Sequence, residues 1–141
     1  MALYLTGDTH GNFRRLLPEA FYEQETMTKE NIVLVCGDFG GVWYGDKRDN
    51  DGLDFLERRP FTTAFVPGNH ENYDALRTYP LEEWRGGTVR PIRPSVLMLE
   101  RGQVFELGGK RIFAWAEPAA TISGTAFWSR TTPCSKRSSR D

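Results

Sequence analysis

Ile32-Val33-Leu34-Val35 is an apolar, mostly β-branched run with no polar residue alternating through it. A strand of that kind must be covered on both faces, the situation found inside a parallel sheet with a layer on each side. The segment is therefore expected near the centre of a sheet. Two further apolar runs, Ala2–Thr6 and Thr62–Val66, supply its neighbours.

Helical spacing lies between these runs. Asn12 stands where a helix N-cap belongs, ahead of Phe13, Leu16, Leu17, Ala20 and Phe21, with Pro18 expected to shorten or kink that helix. A second helix is expected around Asp51–Arg58, carrying Leu53, Phe55 and Leu56, and a short third one over Tyr73–Thr78. The order is βαβαβα, an α/β start. Beyond Pro80 the texture changes to short strand candidates, Thr88–Ile92, Val96–Glu100, Gln103–Leu107 and Arg111–Trp115, with Gly108-Gly109 as a hairpin turn between the last two. No internal repeat is present.

At 141 residues the chain is sized for one domain. Its 18 Lys+Arg against 19 Asp+Glu leave a net charge of −1, so nothing marks it as a general binder of nucleic acid or anionic membranes. The start Met1-Ala2-Leu3-Tyr4-Leu5 lacks the cationic leader of a signal peptide, and no apolar run is long enough to span a bilayer, so a cytoplasmic location is expected. Cys36 and Cys134 are too few for a disulfide scaffold, and Cys36 reads as a small core residue.

Each early apolar run ends in a polar motif: Asp8-Thr9-His10, Gly37-Asp38 and Gly68-Asn69-His70-Glu71. The carboxyl ends of parallel strands open onto one crevice, so groups delivered by several strand ends converge there. Carboxylates, imidazoles and an amide oxygen meeting in one place suit a borderline divalent transition metal. Simpler readings exist for each residue alone: Asp8, Asp38 and Asn69 are all good turn formers.

Those three motifs resemble the calcineurin-like metallophosphoesterases, over roughly residues 1 to 114. The resemblance implies a sandwich of two mixed β-sheets flanked by helices, and two divalent ions (manganese, iron or zinc) at the strand ends. It implies Asp8, His10, Asp38 and Asn69 as metal ligands, with Asp38 bridging both ions. His70 would not ligate but would act catalytically, stabilising the phosphoryl charge or protonating the leaving oxygen. A water activated by the two ions would be the nucleophile, and the substrate a small or macromolecular phosphoester.

Other residues near these motifs read differently. Glu71 reads as a helix first-turn acid favoured by the dipole. Trp43 and Tyr44, in the glycine-rich loop after Asp38, either line a substrate wall or anchor the loop to the core. Arg14, Arg15, Arg58 and Arg59 read as solvated helix faces.

The family pattern ends in further histidines, whereas this chain has His10 and His70 alone. Residues 1–114 are therefore expected to form a partial phosphoesterase domain. Residues 115–141, rich in Ala, Ser and Thr, are expected to form an aberrant, disordered tail, read as the product of a frame shift near Trp115. The alternative to an enzyme is a catalytically inactive, truncated fragment that retains partial metal binding.

Overall fold

The computed structural model describes residues 1–115. The tail expected over residues 115–141 lies outside them, except for Trp115. The strands are β1 (Leu3–Thr6), β2 (Ile32–Cys36), β3 (Thr62–Val66), β4 (Glu82–Trp84), β5 (Gly87–Arg93), β6 (Val96–Leu99), β7 (Gln103–Leu107) and β8 (Lys110–Ala114), and the α-helices are α1 (Lys47–Glu57) and α2 (Tyr73–Leu76).

Six strands form a mixed sheet in the order β1-β2-β3-β6-β5-β4. The pairs from β1 through β6 are parallel, and β5 and β4 add antiparallel strands at the far edge. β7 and β8 form a separate antiparallel hairpin. Its turn places Gly108 and Gly109 at φ 57° and 73°, the double left-handed geometry of a two-residue hairpin, as the glycine pair implied.

The missing alternation in β2 now has its explanation. Val33 and Val35 face a core layer with Leu53 and Leu56 of α1, Phe13, Leu16 and Leu76. Ile32 and Leu34 face the opposite way, into a layer completed by Phe105, Leu107 and Ile112 of the hairpin. The sheet is thus sandwiched between helices and the second sheet. Fully buried Leu56 alone contributes about 1.5–3 kcal/mol of apolar burial.

The structure departs from expectation in three places. The helix expected after Asn12 does not form: Arg14–Leu16 and Tyr22–Thr26 are short 3-10 turns instead. Pro18 is the reason, because the residue before a proline is driven out of the helical region, and Leu17 is extended at φ −64°, ψ 147°. Gln24 then fixes the irregular path by donating to the carbonyls of Leu16 and Phe21. The edge strand β4 was not anticipated either, since Glu82-Glu83-Trp84 carries no strand-like pattern beyond its pairing with β5. Helix α1 also begins earlier than its apolar residues suggested. Asp46 caps it, accepting from the Arg48 N–H at 2.9 Å.

Candidate metal centre

The loops after β1, β2 and β3 meet at one end of the sheet. The main-chain N–H groups of Thr9 and His10 both donate to the Asp38 carbonyl, at 3.1 and 2.8 Å, and the Gly11 N–H donates to the Phe39 carbonyl. The buried Thr9 hydroxyl adds a bond to that same Phe39 oxygen. Gly40 makes the close approach possible, because a Cβ there would lie 2.7 Å from the His10 carbonyl carbon.

This stitching holds His10 and Asp38 in left-handed backbone conformations, at φ 48° and 38°. Such geometry costs of order 1–3 kcal/mol at a non-glycine residue and persists only where the surroundings impose it. Both strained residues carry candidate ligands. His10 Nε2 stands 3.7 Å from Asp8 Oδ2 and 3.8 Å from Asp38 Oδ2, and His70 Nδ1 stands 3.0 Å from that same Asp38 oxygen. One donor atom each from His10, Asp38 and His70 lies within 4.8 Å of the others.

Asp8, His10, Asp38 and His70 are therefore brought together. Asn69 lies between Gly68 and His70 in the same turn, half-buried. A nitrogen, oxygen and carboxylate set of this kind fits a borderline divalent ion.

Asp38 is buried while Asp8, His10 and His70 are exposed. Burial works against the Asp38 carboxylate. The hydrogen bonds from the His70 main chain and ring, with the charge of His70 and His10, together outweigh it and hold the Asp38 pKa below the usual value.

Glu71 is not the first-turn acid expected of it. That place belongs to Asp74, while Asn72 caps α2. Glu71 is buried and accepts from the N–H groups of Phe39 at 2.6 Å, Gly40 at 3.2 Å and Gly68 at 3.4 Å, clamping the second and third loops together. Burial pushes its carboxyl up to about 7, against the pull of those three donors. No periodicity signals such a role, since its partners are main-chain groups distant in sequence.

Trp43 and Tyr44 line a cavity of about 380 Å³ with His10, Gly40 and His70. They are wall residues rather than core anchors, 44% and 58% exposed. Asp49, absent from the candidates, positions the loop by accepting from the Trp43 and Gly45 N–H groups, each at 2.8 Å. Its signal was its place three residues after the Asp46 cap, where an acid can reach back to loop N–H groups. No helix among the described residues is long and apolar enough to cross a membrane.

The family model described as calcineurin-like phosphoesterase matches residues 1–130. A lariat debranching enzyme of Drosophila pseudoobscura pseudoobscura is 27% identical over 127 residues, covering 79% of this chain but 22% of that enzyme. The chain thus spans less than a quarter of the length of that curated relative. No solved structure matches.

Proposed function

The chain belongs to the calcineurin-like phosphoesterase family, and from that premise we propose that its cleft hydrolyses phosphoesters using two divalent ions held by Asp8, His10, Asp38 and Asn69. The observation that supports this most is the convergence of three strand-end loops on Asp38, with His10 and Asp38 both held in strained backbone. When bound, the ions supply an activated water as nucleophile and neutralise the phosphoryl oxygens.

The remaining roles fall to the chain. Asp38, with its carboxyl central to the cluster, would be the main anionic residue holding the ions. His70 acts on the leaving oxygen: with Nδ1 bonded to Asp38, its Nε2 is the atom left to transfer a proton. Trp43 and Tyr44 wall the cleft on one side. The substrate is a phosphomonoester or phosphodiester, and the protein acts in the cytoplasm.

The test is a manganese-supplemented assay with para-nitrophenyl phosphate and its bis ester. Turnover that disappears in Asp38→Ala supports the reading. Manganese uptake without turnover of either ester overturns it in favour of an inactive metal-binding chain, a reading that the presence of two histidines in the whole sequence favours.

A further inference from the structure

A second cavity, of about 630 Å³, adjoins the metal cleft. Trp43 belongs to the lining of both. Its backbone is fixed on two sides: the Trp43 N–H donates to Asp49, and its carbonyl accepts from Asn72 Nδ2 at 2.9 Å. The residue is 44% exposed. A flat aromatic face on a rigid backbone is a ready platform for a planar group.

The far lining carries three arginines, and they differ in what they have left to offer. Arg90 is committed, paired with Glu100 and donating to the carbonyls of Arg77 and Tyr79. Arg77 has one loose, exposed pair, 3.5 Å from Asp74. Arg101 makes no ion pair among the described residues. Both act on Tyr73: burial pushes that hydroxyl up to about 12, Glu71 adds to the rise, and the Arg101 and Arg77 charges oppose it. Two acids of the lining are already engaged, Glu71 by main-chain N–H groups and Glu100 by Arg90, and the third, Asp74, is the exposed, loose partner that an anion at Arg77 has to displace.

We propose that this cavity is a substrate subsite that receives a planar ring against Trp43 and a second anionic group at Arg77 and Arg101. The inference rests on the phosphoesterase reading and adds the class of substrate: a phosphoester whose non-scissile part carries an aromatic ring and a further negative charge. A net charge of −1 gives the chain no general attraction for anions, so affinity for such a group is local to these guanidiniums.

Metal-free protein isolates the subsite, because Asp8 and Asp38 then repel an anion from the neighbouring cleft. Calorimetric titration with adenosine 5′-monophosphate and with adenosine is the measurement. The nucleotide is expected to bind at least about tenfold more tightly than the nucleoside, and the doubly substituted R77A/R101A chain to lose that difference. Trp43→Leu is expected to weaken both compounds alike. Equal binding of the two compounds, or a difference that survives in R77A/R101A, overturns the proposal. Turnover of para-nitrophenyl phosphate by manganese-loaded parent protein is read on the same preparation, so failure of the phosphoesterase reading shows there and not in the binding ratio.

Discussion

Asp38 accepts two hydrogen bonds from a single residue, His70: the main-chain N–H reaches Oδ1 at 2.9 Å and the imidazole Nδ1 reaches Oδ2 at 3.0 Å. An ionised carboxylate can only accept, so Nδ1 carries a proton and the ring's orientation is fixed. The main-chain bond matters equally, because it ties the turn after β3 to the loop after β2 whatever the side chain of residue 70. Position and chemistry are thereby separable by mutation.

His70→Ala keeps the main-chain bond and removes the ring. Turnover of para-nitrophenyl phosphate with manganese is expected to fall about 10²–10⁴-fold, the usual contribution of a positioned acid or base. Bound manganese, measured by atomic absorption, is expected to stay close to the parent's. Loss of metal in proportion to activity would make His70 a ligand instead.

Gly68→Ala tests how tightly the carboxylate is seated. A Cβ on residue 68 would intrude on the Asp38 carboxylate and main-chain N, so backbone must move. Overpacking of this kind costs about 1–3 kcal/mol, and here the displaced group is the central acid of the cluster. Urea denaturation should show the loss in stability, and manganese affinity should fall with it. A variant with parent-like stability and affinity would contradict the geometry.

Glu71 separates a structural acid from a catalytic one. Glu71→Ala leaves the buried N–H groups of Phe39 and Gly68 and the partly buried N–H of Gly40 without an acceptor, at about 1–3 kcal/mol for each buried group left unsatisfied. Glu71→Gln keeps one oxygen for those donors and is expected to recover much of the stability lost in the alanine variant. If Gln were as damaging as Ala to the urea midpoint, the carboxylate charge rather than its acceptor geometry would be what the loops require.

Lys29 gives the fold an alkaline signature. Its ammonium donates to the Glu57 and Phe61 carbonyls and to Ser95 Oγ, joining the turn before β2 to the end of α1 and the starts of β3 and β6. Burial, partly offset by Glu57, lowers its pKa below the ordinary 10.5. Between the folded value and 10.5 the unfolded chain holds more protons than the folded one, so this group adds stability as pH rises through that window. Chemical denaturation of parent and Lys29→Met at pH 8 and pH 10.5 should show the parent gaining on the variant at the higher pH. A constant gap would remove Lys29 as the cause.

The sheet was legible because a strand buried on both faces reads as an unbroken run without polar alternation: β2 falls on Ile32-Val33-Leu34-Val35, and β3 on a run of threonines, Ala64, Phe65 and Val66 that carries no charged residue. The segment between β1 and β2 was not, because apolar spacing at Phe13, Leu16 and Phe21 looks helical while a single Pro18 and the Gln24 side chain decide otherwise. β4 escaped notice because an edge strand needs only backbone pairing. At the site, Asp8, His10, Asp38 and His70 announced themselves by motif. Glu71 and Thr9 hold the loops through main-chain partners, which leave no pattern in the sequence, and Asp49 left only its place three residues after the Asp46 cap.

Metal binding should also stabilise the folded chain, because the donors meet only when the three loops are assembled. A ligand that binds the folded state alone stabilises it by RT ln(1 + [L]/Kd), about 2.7 kcal/mol when its concentration is a hundredfold above Kd. Manganese is therefore expected to raise the thermal midpoint by several degrees in a concentration-dependent way, and a chelator to reverse the rise. Asp38→Asn should abolish the response while keeping most of the shape of the side chain, since an amide oxygen is a weaker partner for a dication than the carboxylate it replaces. Its metal-free midpoint reports the other half of the argument: with one amide N–H now facing the N–H donors of His70, it should lie below the parent's. A manganese response of equal size in Asp38→Asn would mean that the ion binds somewhere other than the cluster around residue 38.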